Sequence, residues 1–90
     1  MKPIIIPTPI PGFQTQSIDG DLVLLNPQNN VILHINPTGA LVWQLCDGQR
    51  LVSEIILILS EAYPEARAQI EVDVPKIIFD LVVQGALEKG

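Results

Sequence analysis

The sequence predicts one α+β domain in which a three-stranded antiparallel sheet is followed by three helices. Two observations favour this fold class. After residue 12, short extended segments alternate with turn-forming residues. From Asn36 onward, apolar residues recur at the spacing of three or four that is typical of helices. The 90 residues suit one domain and not two.

Three strands are predicted, and the turns between them fix how they pair. Asp19-Gly20 follows the first strand, and Asp-Gly between extended segments is a strong hairpin signal. The turn-rich sequence PQNN follows the second strand. Both connections are short, so we expect an antiparallel meander with the first and third strands at its edges. The predicted strands span residues 13–18, 21–26 and 31–35.

The first predicted helix has a signal at each end. Asn36 can cap its N-terminus, and Pro37 occupies the first helical position, where proline is well tolerated. Gly48 can adopt the left-handed conformation that ends many helices. This helix is predicted over residues 37–46.

The other two helices are bounded by prolines and by a possible cap. The second helix is predicted over residues 52–63 and ends at Pro64. Residues 64–72 are predicted to form a connector. The third helix is predicted over residues 73–84, with Asp73 as its N-cap and Pro75 in its first turn.

Residues 1–12 form a proline-rich arm that we separate from a domain over residues 13–90. The prolines are Pro3, Pro7, Pro9 and Pro11, and they favour extended, polyproline-like backbone. One interpretation is a frayed terminus. The other is an arm that packs on a partner or on a second copy of the chain.

The charge balance argues against two classes of ligand. The net charge is −5, with only five lysines and arginines in the chain. Nucleic acid binding depends on cationic contacts with phosphates, so DNA and RNA are not expected partners. The same shortage of cations argues against binding to an anionic membrane surface.

Cysteine usage and hydropathy favour a cytoplasmic protein. The single cysteine excludes an internal disulfide and fits a reducing compartment. The apolar runs are far shorter than the ~18 residues needed to span a bilayer. Prolines interrupt the apolar N-terminal segment, which therefore does not resemble a signal peptide.

The sequence offers no catalytic or metal-binding set of residues. His34 and Cys46 are the only imidazole and the only thiol, and a zinc site needs three or four protein ligands. The carboxylates do not follow the spacing of a calcium-binding loop, and there is no glycine-rich phosphate loop. We therefore expect no enzymatic activity, no metal and no cofactor.

Two features instead leave apolar surface for a partner. On a helical wheel, the apolar arc of the third helix spans roughly 240°, whereas packing on one core needs little more than ~100°. Either the arm or a second subunit covers one flank, or that flank forms the wall of a ligand groove.

The third strand, VILHI, is an edge without proline or lysine to block pairing. An open edge beside an apolar helix suits a peptide that adds as a strand.

The segment INPTGALVWQLCDGQRLVSEI and the tail DVPKIIFDLVVQGALE resemble the PqqD-like family, which includes recognition elements for ribosomally made, modified peptides (RiPPs). The resemblance covers about residues 13 to 89. It is carried by the Asn36, Thr38-Gly39-Ala40 and Trp43 positions and by Asp47-Gly48.

The resemblance implies a winged helix-turn-helix-like fold and a non-catalytic peptide chaperone. Family members bind the leader of a precursor peptide as a strand added to the third strand, against the third helix. They present it to a modifying enzyme, often a radical S-adenosylmethionine (radical SAM) enzyme. The implied peptide-binding residues are Val31, Ile32, Leu33, His34, Ile35, Pro75, Lys76, Phe79, Val82 and Val83.

The sequence departs from the family pattern at several positions. Leu51 stands where a Thr or Ser cap is common, and Phe79 and Val83 stand where polar residues are frequent. These changes make the third helix more apolar and indicate a partner particular to this chain. Two alternative functions remain open at this point: a homodimeric structural subunit and a winged-helix DNA-binding protein, although the net charge opposes the second.

Overall fold

The computed structural model describes residues 6–28 and 30–89. The three strands and three helices that the sequence predicts are all present, and a short strand is added at each end. The elements are β1 (Thr8–Pro9), β2 (Gln14–Ile18), β3 (Asp21–Asn26), β4 (Val31–Ile35), α1 (Pro37–Leu45), α2 (Val52–Ala62), α3 (Arg67–Val83) and β5 (Leu87–Glu88), with a 3₁₀ turn at Pro64–Ala66.

The central sheet is an antiparallel meander in the order β2-β3-β4, as predicted. Leu24 of β3 lies opposite Leu33 of β4, and Leu22 lies opposite Ile35. These side chains point toward the helices, and Leu22, Leu24 and Ile35 are buried in the core. Successive residues of a strand point to opposite faces, so the remaining positions of β3 and β4 form an outer face directed away from the helices.

The corner between β4 and α1 depends on two residues of the Asn-Pro-Thr-Gly sequence. The side chain of Asn36 accepts a hydrogen bond from the Gly39 N–H at 2.8 Å, which confirms the predicted N-cap. Gly39 is buried, and a Cβ atom at this position would lie 2.5 Å from Ile35 Cγ2. A glycine is therefore needed here so that the first turn of α1 can approach the end of β4 closely.

The start of α2 compensates for the missing Thr or Ser cap at Leu51. Leucine has no side-chain acceptor for the first helical N–H groups. The carboxylate of Glu54, three residues later, accepts a hydrogen bond from the Leu51 N–H at 2.9 Å. This is one half of a capping box, so the helix start retains part of the usual stabilisation.

The prediction for the start of α3 was wrong. The helix begins at Arg67 rather than Asp73, and Pro75 lies inside it. Asp73 is therefore an interior residue and not an N-cap. Proline at position 75 removes the hydrogen bond to the Glu71 carbonyl, but both residues are on the exposed side of the helix, where water can bond to that carbonyl. The core-facing stripe of the partly buried Ile70 and the buried Val74, Ile78 and Leu81 continues across the proline.

The described part of the N-terminal arm pairs with the C-terminus of the same chain. β1 and β5 form a two-stranded antiparallel ladder, and the N–H groups of Ile6 and Ile10 donate to the carbonyls of Lys89 and Ala86, each at 3.0 Å. Pro7 and Pro9 occupy the alternate positions, whose N–H groups would point away from β5. Residues 1–5 lie outside the described residues, and the division of the chain at residue 12 stays a prediction.

The loop after α1 holds this terminal ladder in place. Gly48 has φ of +80°, the left-handed conformation expected of it, but α1 ends at Leu45 with Cys46 as its C-cap, so Gly48 lies in the loop and does not cap the helix. Its N–H donates to the Pro7 carbonyl at 3.1 Å. Cys46, just before this loop, is buried, and burial raises the pKa of its thiol to about 12. The thiol is therefore neutral at physiological pH and behaves as a small apolar side chain.

We predict that Gly39→Ala destabilises the protein by up to about 2 kcal/mol. Overpacking against Ile35 Cγ2 costs about 1–3 kcal/mol, which outweighs a gain in helix propensity of about 1 kcal/mol. Urea denaturation followed by circular dichroism measures the change.

Ile35→Ala provides the matched background, because alanine has no Cγ2 atom. In that background, Gly39→Ala should no longer destabilise the protein. An equal loss of stability in both backgrounds would show that the contact with Ile35 does not explain the glycine.

Candidate functional site

The outer edge of β4 is the first component of the candidate site. The sheet ends at β4, and in the described part of the chain no further strand lies beyond it. The stretch from Ile32 to Ile35 contains no proline, so each residue has both an N–H and a C=O group. In an edge strand, about half of these groups point away from the sheet and can pair with an added strand.

The side chains of β4 alternate between the two faces of the sheet. Leu33 and Ile35 point toward the helices and contact the core, whereas Ile32 and His34 are exposed on the outer face. Val31, at the start of the strand, is half-buried. An added strand would therefore contact apolar side chains on the inner face. On the outer face it would contact one apolar side chain, Ile32, and one polar side chain, His34.

The second component is an exposed apolar face of α3. Val72, Phe79 and Val83 are 64 %, 60 % and 69 % exposed, which is unusual for three large apolar residues on one helix. They recur at intervals of seven and four residues and so lie on one side of the helix. Pro75 and Lys76 are exposed on the same side. We call this set the outer face of α3.

Val82 differs from the other residues predicted on this helix. It is half-buried and packs against the core, next to the face that holds Ile78 and Leu81. Leu33 of β4 packs against the same core. β4 and α3 thus pack on one core, whereas Phe79 and Val83 extend into solvent.

Residues 6–12, the described part of the N-terminal arm, do not cover the outer face of α3. Its described residues pair with β5, beyond the C-terminal end of the helix, and Phe79 and Val83 remain exposed. Of the alternatives left open for the surplus apolar surface, coverage by the described part of the arm is therefore excluded.

An open apolar pocket of about 390 Å³ lies where the three helices meet, and the sequence did not reveal it. It is bordered by the first turns of α1, the end of α2 and the first half of α3. Leu41 and Tyr63 line it and are 40 % and 52 % exposed. Ile70 lines it as well, and its spacing of four residues from the buried Val74 could have identified the true start of the helix, although not the pocket.

The other edge of the sheet is polar. All five residues of β2 are exposed, and four of them are Gln, Thr or Ser. The described prolines before it, Pro7, Pro9 and Pro11, all lie upstream of β2 and not on the strand itself. The two edges therefore differ in side-chain character, since only β4 combines an edge position with apolar residues on both faces.

One pair of polar side chains lies on the outer face at β4. His34 Nε2 lies 3.4 Å from Asp21 Oδ2 on the outer face. Among residues 6–28 and 30–89, no group of three or more His, Cys, Asp or Glu side chains is arranged to hold a metal ion. Within the same residues, no helix has the length and hydropathy needed to cross a membrane.

Comparison with known proteins identifies the family of this chain. No curated protein sequence matches the chain. The fold is similar to that of a solved structure described as TbiB1 in complex with the TbiA(beta) leader peptide, with a TM-score of 0.76, 22% sequence identity, and coverage of 92% of this chain and 96% of that one. Residues 21–87 match the family described as coenzyme PQQ synthesis protein D (PqqD). The chain therefore belongs to the PqqD family.

Proposed function

We propose that this chain binds the leader of a ribosomally made precursor peptide as a strand added to β4 and presents it to a modifying enzyme. The observation that carries the proposal is the terminal position of β4 in the sheet, together with the exposed apolar face of α3, a helix that packs on the same core as β4. Membership of the PqqD family and the likeness to a fold solved with a leader peptide support it.

Backbone pairing is the proposed source of affinity. The segment from Ile32 to Ile35 would exchange hydrogen bonds with the peptide main chain. Such main-chain hydrogen bonds do not depend on the side chains of the peptide. This mode suits a protein whose described edge strand is free of proline. Val31 would lie at the end of the added ladder.

Apolar contacts with α3 are the proposed source of selectivity. Phe79 and Val83 offer large exposed side chains, and their burial by a ligand would remove apolar surface from water. Pro75 would lie at the N-terminal end of this contact. Val82 would form the inner wall, where its partly buried side chain meets the core.

Lys76 is proposed to meet an acidic residue of the leader. Its side chain is exposed on the outer face of α3, and it forms no ion pair within residues 6–28 and 30–89. An exposed ion pair is worth less than about 1 kcal/mol, so this contact would adjust register more than affinity.

The chain is proposed to be a non-catalytic partner of a radical SAM enzyme or another RiPP-modifying enzyme in the cytoplasm. The family resemblance supports the radical SAM enzyme. The absence of a metal-ligand cluster in the described residues fits a division of labour in which the enzyme supplies the chemistry. By binding the leader and the enzyme at the same time, the chain would increase the local concentration of the precursor at the enzyme.

We predict that a leader peptide slows amide exchange along β4. Hydrogen–deuterium exchange should show new protection at residues 32–35, because N–H groups that faced water become paired. Residues 14–17 of β2, the opposite edge, provide the internal control and should not change. Protection confined to β2 or to α2 would contradict the proposal.

We predict that Phe79→Ser raises the dissociation constant for the leader about tenfold or more, since a large anchor side chain is lost. Leu57→Ser is the matched control, because Leu57 is 49 % exposed on α2, an element that contributes no residue to the proposed site. Isothermal titration calorimetry measures both variants. An equal loss of affinity in the two variants would contradict a specific role for α3.

We predict that the leader, this chain and the modifying enzyme form a ternary complex. Size-exclusion chromatography with the purified radical SAM enzyme should show the three components eluting together. Omitting this chain should reduce leader binding to the enzyme. Equal binding with and without the chain would contradict the presenting role.

A further inference from the structure

The outer face of the sheet carries an apolar row that ends at the open edge. Gln14 of β2, Leu25 of β3 and Ile32 of β4 lie opposite one another across the three strands. Leu25 is 37 % exposed and Ile32 is 68 % exposed. The row therefore changes from polar to apolar toward the edge of β4.

The neighbouring row differs in character. It runs from Gln16 through Val23 to His34. The His34 imidazole lies within ion-pair distance of Asp21, also on the outer face. The edge of β4 thus presents one apolar position and one polar position on the outer face, two residues apart.

We propose that the bound peptide is recognised on both faces of the sheet and carries an apolar, β-branched or aromatic residue on the outer face opposite Ile32. This inference rests on the proposed strand addition to β4. It assigns Ile32 a role in ligand selection that is independent of α3, which lies on the other face.

The geometry of paired strands supports this assignment. Directly opposed residues of neighbouring strands place their side chains on the same face, with Cβ atoms about 4.5–5.5 Å apart. A strand added to β4 therefore continues the row of Leu25 and Ile32 by one residue. An apolar residue there would cover Ile32, whereas a charged residue would lose hydration against it.

A constraint on the ligand sequence follows. The residues on either side of the outward-facing position point to the inner face, toward the apolar helices. Recognition by α3 alone would favour alternating apolar and polar residues. Recognition on both faces favours an uninterrupted stretch of at least three apolar residues, with a polar residue near His34 on the outer face, two positions from the residue opposite Ile32.

The test uses a displayed library of random short peptides selected on the full chain. Peptides that protect residues 32–35 from deuterium exchange should be enriched in consecutive apolar residues.

Ile32→Thr keeps a β-branched side chain but removes apolar surface, and it should weaken the binding of these peptides about two- to fivefold. A charged residue placed at the central apolar position of the peptide should reduce its affinity for the unmodified protein by a similar factor. The same change should have little effect on its affinity for the Ile32→Thr variant.

Ile18→Thr is the matched control. Ile18 is 49 % exposed on the same outer face but lies on β2, the far edge of the sheet. Its substitution should leave affinity unchanged. If peptides protect β4 but Ile32→Thr binds them as tightly as the unmodified chain, the inference about the outer face is wrong and strand addition stands. If selected peptides do not protect β4, the proposed function itself fails.

Discussion

The close approach of α1 to the end of β4 is the constraint on which the arrangement of this protein depends. Gly39 allows that approach because any Cβ would collide with Ile35, and Asn36 fixes the direction of the helix by capping it. The chain therefore leaves the sheet at β4 and folds back over its inner face. Because the chain turns into helices at this point, β4 remains the last strand of the sheet.

Much of the fold follows from local sequence signals. The strand positions were predictable because Asp19-Gly20 and the turn-rich segment after Asn26 punctuate short apolar runs, and the start of α1 was predictable because Asn-Pro is a strong helix-start signal. The start of α3 was not recognised because Asp73 and Pro75 imitate a helix start. The continuous core-facing stripe through Ile70 and Val74 outweighs that local signal, since burial stabilises the helix across the proline.

The candidate site was predictable in part. The edge position of β4 followed from the order of short strands, and the surplus of apolar residues on α3 followed from its helical wheel. Val72 was missed because it fell in a predicted connector, and the pocket containing Leu41 and Tyr63 was missed because it is formed by three elements distant in sequence. The pairing of β1 with β5 was also beyond local signals, because the partners lie at opposite ends of the chain.

The proposed division of labour assigns affinity to backbone pairing at β4 and selectivity to side chains on α3 and on the outer face of the sheet. The central element of this proposal is the added strand.

Nuclear Overhauser spectroscopy of the labelled chain with an unlabelled leader tests the strand addition to β4 most directly. The account predicts close contacts between α-protons of the peptide and backbone protons of Ile32 and His34, in the alternating pattern of paired strands. Contacts limited to side chains of α3, with none to the backbone of β4, would contradict it.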